Sequence, residues 1–138
     1  MDRKAFTLLE LIVVLVVLAA LVAIALPMYT GFVEKAKATE AINVMGSIKT
    51  AEEIKKAASS THIYVDSTFA DLSSNLGVNV LNVTPGWSYT VTASGGSSFL
   101  ATAVRKNPGG PADNTTITFT YNSDGSVAWS GDHPGRPR

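Results

Sequence analysis

The chain has 138 residues, eleven basic and eleven acidic side chains, and no cysteine. The balanced charge offers no basic field to attract a polyanion, so no specific nucleic-acid partner is implied. Without cysteine there is no disulfide, and packing and hydrogen bonds alone must secure the C-terminal region.

After Met1 and Asp2 come the basic residues Arg3 and Lys4, and Ala5 follows them. Phe6-Thr7-Leu8-Leu9-Glu10 then leads into eighteen uncharged residues, 11–28. As a helix, residues 6–28 would reach roughly 34 Å at about 1.5 Å per residue, enough to cross a bilayer core. The basic leader places the N-terminus in the cytoplasm and the remainder outside. Ala19, Ala20, Ala23 and Ala25 imitate a signal-peptide cleavage site. However, no clean A-x-A ends the apolar run, and the helical pattern continues through Pro27 to about residue 58, so a retained anchor is expected. Glu10 stands out, because a carboxylate inside an apolar span is costly and calls for a partner.

The segment Ala5-Phe6-Thr7-Leu8-Leu9-Glu10-Leu11-Ile12-Val13-Val14, followed by Pro27, Tyr29 and Phe32, resembles the N-terminus of type IV pilins and type II secretion pseudopilins. The resemblance covers about the first thirty-five residues. It implies a leader, residues 1–5, removed by a membrane prepilin peptidase that cuts between Ala5 and Phe6 and methylates the new Phe6 amine. Ala5 departs from the family pattern, in which glycine is usual. The resemblance further implies assembly positions at Phe6, Glu10 and Pro27, with the subunit leaving the inner membrane to stack its N-terminal helix into a homopolymer. An inner-membrane platform with an ATPase motor would drive that step. Physically, Glu10 can neutralise the Phe6 amine of its own chain or of a neighbour, and charge pairing supplies an axial register that apolar contacts lack. Pro27 lacks an amide hydrogen and should kink or locally melt the helix.

Residues 29–58 read as the amphipathic half of one long spine. Ala38, Ala41, Met45, Ile48, Ala51 and Ile54 recur at spacings of three and four. Glu34, Lys35, Lys37, Glu40, Lys49, Glu52, Glu53, Lys55 and Lys56 are placed on the other sides, with Glu52 and Lys56 as an i,i+4 pair. Gly46 weakens the helix locally. Residues 59–85 are irregular, with a short helical turn at Phe69, Leu72 and Leu76 ending at Gly77. A brief extended piece is expected at Val78, Val80, Leu81 and Val83. His62 has no partner spacing that suggests a metal site.

From Gly86 the period changes to two. Strands are expected at residues 87–93, 99–104, 116–121 and 127–129, with Ile117, Phe119 and Tyr121 on one face. Ser94-Gly95-Gly96 and Asn122-Ser123-Asp124-Gly125 are tight turns. Residues 107–111 begin a longer loop, and residues 130–138 form an irregular, solvated tail. The fold class is therefore α+β. A long N-terminal spine, membrane-inserted in its first half, packs its second half on a four-stranded antiparallel sheet, as in the pilin fold. Residues 59–138 supply the connecting loop, sheet and tail of the head.

No phosphate loop, paired metal-spaced histidines or nucleophile signature occurs, so neither an enzyme nor a cofactor is expected. Asp113, Asn114, Asp124 and Asp132 offer oxygen ligands in late loops but form no calcium-loop motif, and no metal is assigned. The reading is a structural subunit of a type IV pilus, a surface fibre for adhesion, motility or uptake. It is inserted in the inner membrane before assembly and extracellular afterwards. The alternatives are a type II secretion pseudopilin in a periplasmic pseudopilus, or a minor pilin. Ile63-Tyr64-Val65-Asp66 lacks the proline that major pseudopilins tend to carry after the spine, which favours a pilin.

Overall fold

The computed structural model of the chain describes residues 6–61, 63–79 and 86–138. The leader with Ala5, His62, and Val80, Leu81 and Val83 of the expected extended piece lie outside the described residues. Helix α1 is Leu8–Ala58, ending where the amphipathic pattern stops. The chain divides into two units, Met1–Val33 and Glu34–Arg138.

In the first unit every described residue through Phe32 is exposed. This stretch is long and apolar enough to cross a membrane. Pro27 lies inside α1 with helix on both sides, and Thr30 Oγ1 donates to its carbonyl at 3.0 Å. Because proline has no N–H, the Ala23 carbonyl loses its helical donor there.

In the second unit α1 buries one stripe: Glu34, Ala38, Ala41, Met45, Ile48 and Glu52, with Val44 beside it. These positions alternate steps of four and three, which keeps them on one side of the helix. Two expectations are corrected here. Glu34 and Glu52 are buried rather than solvated, and Ile54 is 65% exposed rather than buried. The reason is rotation. At about 100° per residue, Glu52 lies some 40° from Ile48, whereas Ile54 lies some 240° away, on the far side. The expected Glu52–Lys56 pair gives way as well. Glu52 turns inward, and Lys56 Nζ lies 4.3 Å from the centre of the Tyr64 ring.

The sheet has strands β1 (Trp87–Ser94), β2 (Ser98–Arg105), β3 (Thr116–Tyr121) and β4 (Val127–Ser130). They run antiparallel in sequence order, as a meander. Trp87, Tyr89 and Val91, Phe99, Ala101 and Ala103, and Ile117 and Phe119 point inward and join the α1 stripe in one core. Two-residue alternation along each strand makes this single apolar face.

The connection is more ordered than its composition suggests. Helix α2 (Leu72–Leu76) forms where the short turn was expected. Gly77, at φ 68°, donates to Ser73 O, and Val78 N donates to Leu72 O, a helix ending that only a left-handed residue completes. Residues 63–67 act as a strap. Val65 N donates to Glu52 Oε2, Ser67 bridges Val91, and Asp66 Oδ1 accepts from Ala93 N. The strap thus covers part of the outer edge of β1, which would otherwise present open backbone groups.

Candidate functional site

Glu10 sits in the first turn of α1, and its surroundings are local. Thr7 N and Thr7 Oγ1 each lie 3.1 Å from Glu10 Oε2, and Glu10 N donates to Thr7 Oγ1 at 3.2 Å. This is a capping box, in which threonine before the helix and glutamate three residues later satisfy each other's amides. The T-x-x-E spacing that signals it is present at Thr7-Leu8-Leu9-Glu10 in the sequence. The box uses only Oε2, so capping does not consume the second carboxylate oxygen. Phe6 is 80% exposed just ahead of the box, and Tyr29 and Phe32 are exposed beyond Pro27. The structure therefore displays Phe6, Glu10 and Pro27 on one uncovered apolar segment, while Ala5 lies outside the described residues.

Glu34, at one end of the buried stripe, holds a polar cluster. Arg105, the last residue of β2, donates through Nε to Glu34 Oε2 at 3.0 Å and through Nη2 to Oε1 at 3.3 Å. Its third arm, Nη1, donates to Gly86 O at 3.0 Å. A planar guanidinium suits this two-pronged carboxylate contact in a way an ammonium does not. Those hydrogen bonds hold the Glu34 carboxyl below its usual 4.5, outweighing the opposite effect of burial. Trp87 lies beneath the guanidinium and beside His133, with ring centres 5.1 Å apart. The arrangement ties α1 to β2 and to the chain end without a disulfide.

His133 corrects the expectation of a solvated tail. Ser130 ends β4 and the tail is irregular from Gly131 on, yet this ring is 1% exposed. Asp132 helps to place it by accepting from Thr116 N at 2.6 Å and Thr116 Oγ1 at 3.0 Å. These bonds keep the Asp132 carboxyl below its usual value. The other late-loop oxygens are similarly engaged. Asp113 Oδ1 accepts from Asn107 N, and Asp124 Oδ1 accepts from Ser126 N. Among the described residues no group of three metal-ligating side chains is assembled.

Glu52 ends the stripe at the other side of the core. One oxygen accepts from Val65 N at 3.1 Å, while Oε1 is buried with no hydrogen-bond partner among the described residues. Burial pushes this carboxyl above its usual 4.5, against the single amide bond. The signal for both buried glutamates lay in the spacing, because Glu34 precedes Ala38 by one step of four and Glu52 follows Ile48 by another. Residue chemistry argued the other way.

Comparison with known proteins points to the same N-terminal segment. Residues 1–26 match the Prokaryotic N-terminal methylation motif. The chain is 28% identical over 131 residues to Fimbrial protein EcpC of Eikenella corrodens, covering 92% of this chain and 80% of that protein. It is 27% identical over 133 residues to a fimbrial protein of Pseudomonas aeruginosa, covering 89% and 82% respectively. The similarity thus extends through the head and is not confined to the motif.

Proposed function

For a chain of the pilin and pseudopilin class, a structural and non-catalytic type of subunit, we propose the role of a type IV pilin that polymerises into a surface fibre. The observation that carries this reading is the uncovered apolar segment, residues 6–32, attached to a head whose own core is complete without it. Such a segment needs a bilayer before assembly and like segments afterwards. Prepilin peptidase cuts between Ala5 and Phe6 and methylates Phe6. Glu10 then pairs with the amine of a neighbouring Phe6 and fixes axial register, and Pro27 provides a point where the helix can yield. A membrane platform and its ATPase drive extrusion, and the fibre serves adhesion, motility or uptake. The fimbrial relatives favour a pilus over a secretion pseudopilus.

Electron microscopy of sheared surface material, with mass spectrometry of its subunits, tests the assignment. Long fibres built from chains that begin at methylated Phe6 are expected. A processed chain that stays in the envelope and enters no fibre would shift the assignment to a pseudopilin or a minor subunit. The capping box adds a control for Glu10. Glu10→Ala removes both the charge and the cap, whereas Thr7→Val removes the hydroxyl and keeps the charge. If Glu10 sets register, Glu10→Ala is processed normally but abolishes fibres, while Thr7→Val leaves fibre yield near wild type. Equal losses in the two variants would reduce Glu10 to a helix cap.

A further inference from the structure

Among residues 131–138 only His133 is buried, and its hydrogen bonding assigns its tautomer. The Gly135 amide donates to His133 Nδ1 at 3.0 Å, so the neutral ring carries its hydrogen on Nε2. The Arg136 amide donates to His133 O at 3.2 Å, closing a tight turn. This turn presses against α1, where a Cβ added at Gly135 would meet the Ala38 Cβ at 2.5 Å, so only glycine permits the approach. Nε2 faces Glu34 Oε2 at 3.6 Å, close enough for attraction but beyond a hydrogen bond.

The charged neighbours of the ring come from each element packed against it: Glu34 on α1, Arg105 on β2, and Asp132 in the tail itself. Trp87 of β1 contributes an uncharged ring. The turn also runs beside the Lys35 backbone on α1. Glu34 is already gripped at both oxygens by Arg105. An added proton has one place to go, the Nδ1 lone pair, and the Gly135 N–H already points at it. Once Nδ1 is protonated two donors face each other, the turn bond is lost, and a buried imidazolium stands beside a guanidinium.

We propose that His133 is an acid-released latch on the C-terminal tail: a proton taken up at Nδ1 expels the ring and frees residues 133–138 while the Glu34–Arg105 pair stays closed. Burial keeps the imidazole below its usual 6.5, despite the pull of Glu34. The latch therefore contributes its full stability above 6.5 and loses it as pH falls through the lower value of the folded protein.

The test is solution NMR of the full chain in detergent micelles between about pH 7.5 and pH 5. The ring nitrogens should report the Nε2–H tautomer at the upper end. Corrected for intrinsic exchange, opening at the Gly135 and Arg136 amides should rise about tenfold per pH unit as pH falls from 6.5 to the His133 midpoint, and level off below it. The Arg105 amide should stay protected throughout. In His133→Asn the side-chain carbonyl can accept from the amide two residues on without titrating, so protection should become independent of pH. An Nδ1–H tautomer at the upper pH, flat protection across the wild-type titration, or an equal loss in His133→Asn would each overturn the latch. If His133→Asn fails to fold, the wild-type tautomer and exchange profile decide alone.

Discussion

Glu34 and Glu52 end the same buried stripe on the same helix, about five turns apart, and both are hidden from solvent, yet they are held in opposite ways. Glu34 receives both prongs of a guanidinium, and its carboxyl is stabilised as the anion. Glu52 receives one backbone amide, and burial favours its neutral form. Burial alone does not decide whether a carboxylate is an anchor or a strain. The number and charge of the donors reaching it decide.

The largest effect that separates the two ends should come from Arg105→Met. It removes the donors of Glu34 and leaves a buried, unpaired carboxylate, at a cost of about 3–5 kcal/mol. Urea denaturation of the full chain in micelles, followed by tryptophan fluorescence, would measure it. The double variant Glu34→Met with Arg105→Met should recover most of that loss, because matched apolar groups need no donors. A double variant as unstable as the single one would mean that the pair also holds Gly86 and the tail through contacts that methionine cannot replace.

The two ends also differ in sign with pH. Glu34, with its lowered pKa, contributes stability that is present above 4.5 and lost as pH falls through its folded value. Glu52, with its raised pKa, does the reverse: its contribution is present below 4.5 and lost as pH rises through its folded value. Glu52→Gln keeps an oxygen for Val65 N and removes the buried charge. It should gain on the order of 1 kcal/mol at neutral pH, and that gain should shrink as acid neutralises wild-type Glu52. A gain that is constant with pH would show that packing around residue 52, and not its charge, explains the difference.

The same contrast explains what could be read from the chain. The strands, the end of α1 at Ala58 and the turn at Gly77 were legible because local rules govern them: alternation for strands, a Ser-Ser-Thr run after Ala58, and glycine's left-handed conformation. The uncovered N-terminal segment was legible from its uninterrupted apolar run. The cluster of Glu34, Arg105 and His133 was not, because its members are far apart in sequence and glutamate and arginine are usually found at the surface. The core they enter is fixed by tertiary pairing, and only the steps of four and three in α1 hinted that two glutamates share the apolar stripe. Residues 130–138 carry no period, so nothing local in the sequence signals burial there. The one buried side chain beyond Ser130, His133, fits beside Trp87.

The smallest predicted effect sharpens the comparison from outside the core. Lys37 and Glu40 form an ion pair at 3.3 Å, one turn from Glu34 on the same helix but partly exposed. Water already solvates both groups, so Glu40→Gln should change stability by about 0.5 kcal/mol or less, and salt should erase most of that. The Glu34–Arg105 pair should keep its effect in the same salt, since its 3.0 Å contact is buried and poorly screened. If salt weakened the Arg105→Met penalty as fully as the Glu40→Gln one, the buried pair would be open to solvent in solution. The contrast between the two ends of the stripe would then rest on packing rather than on charge.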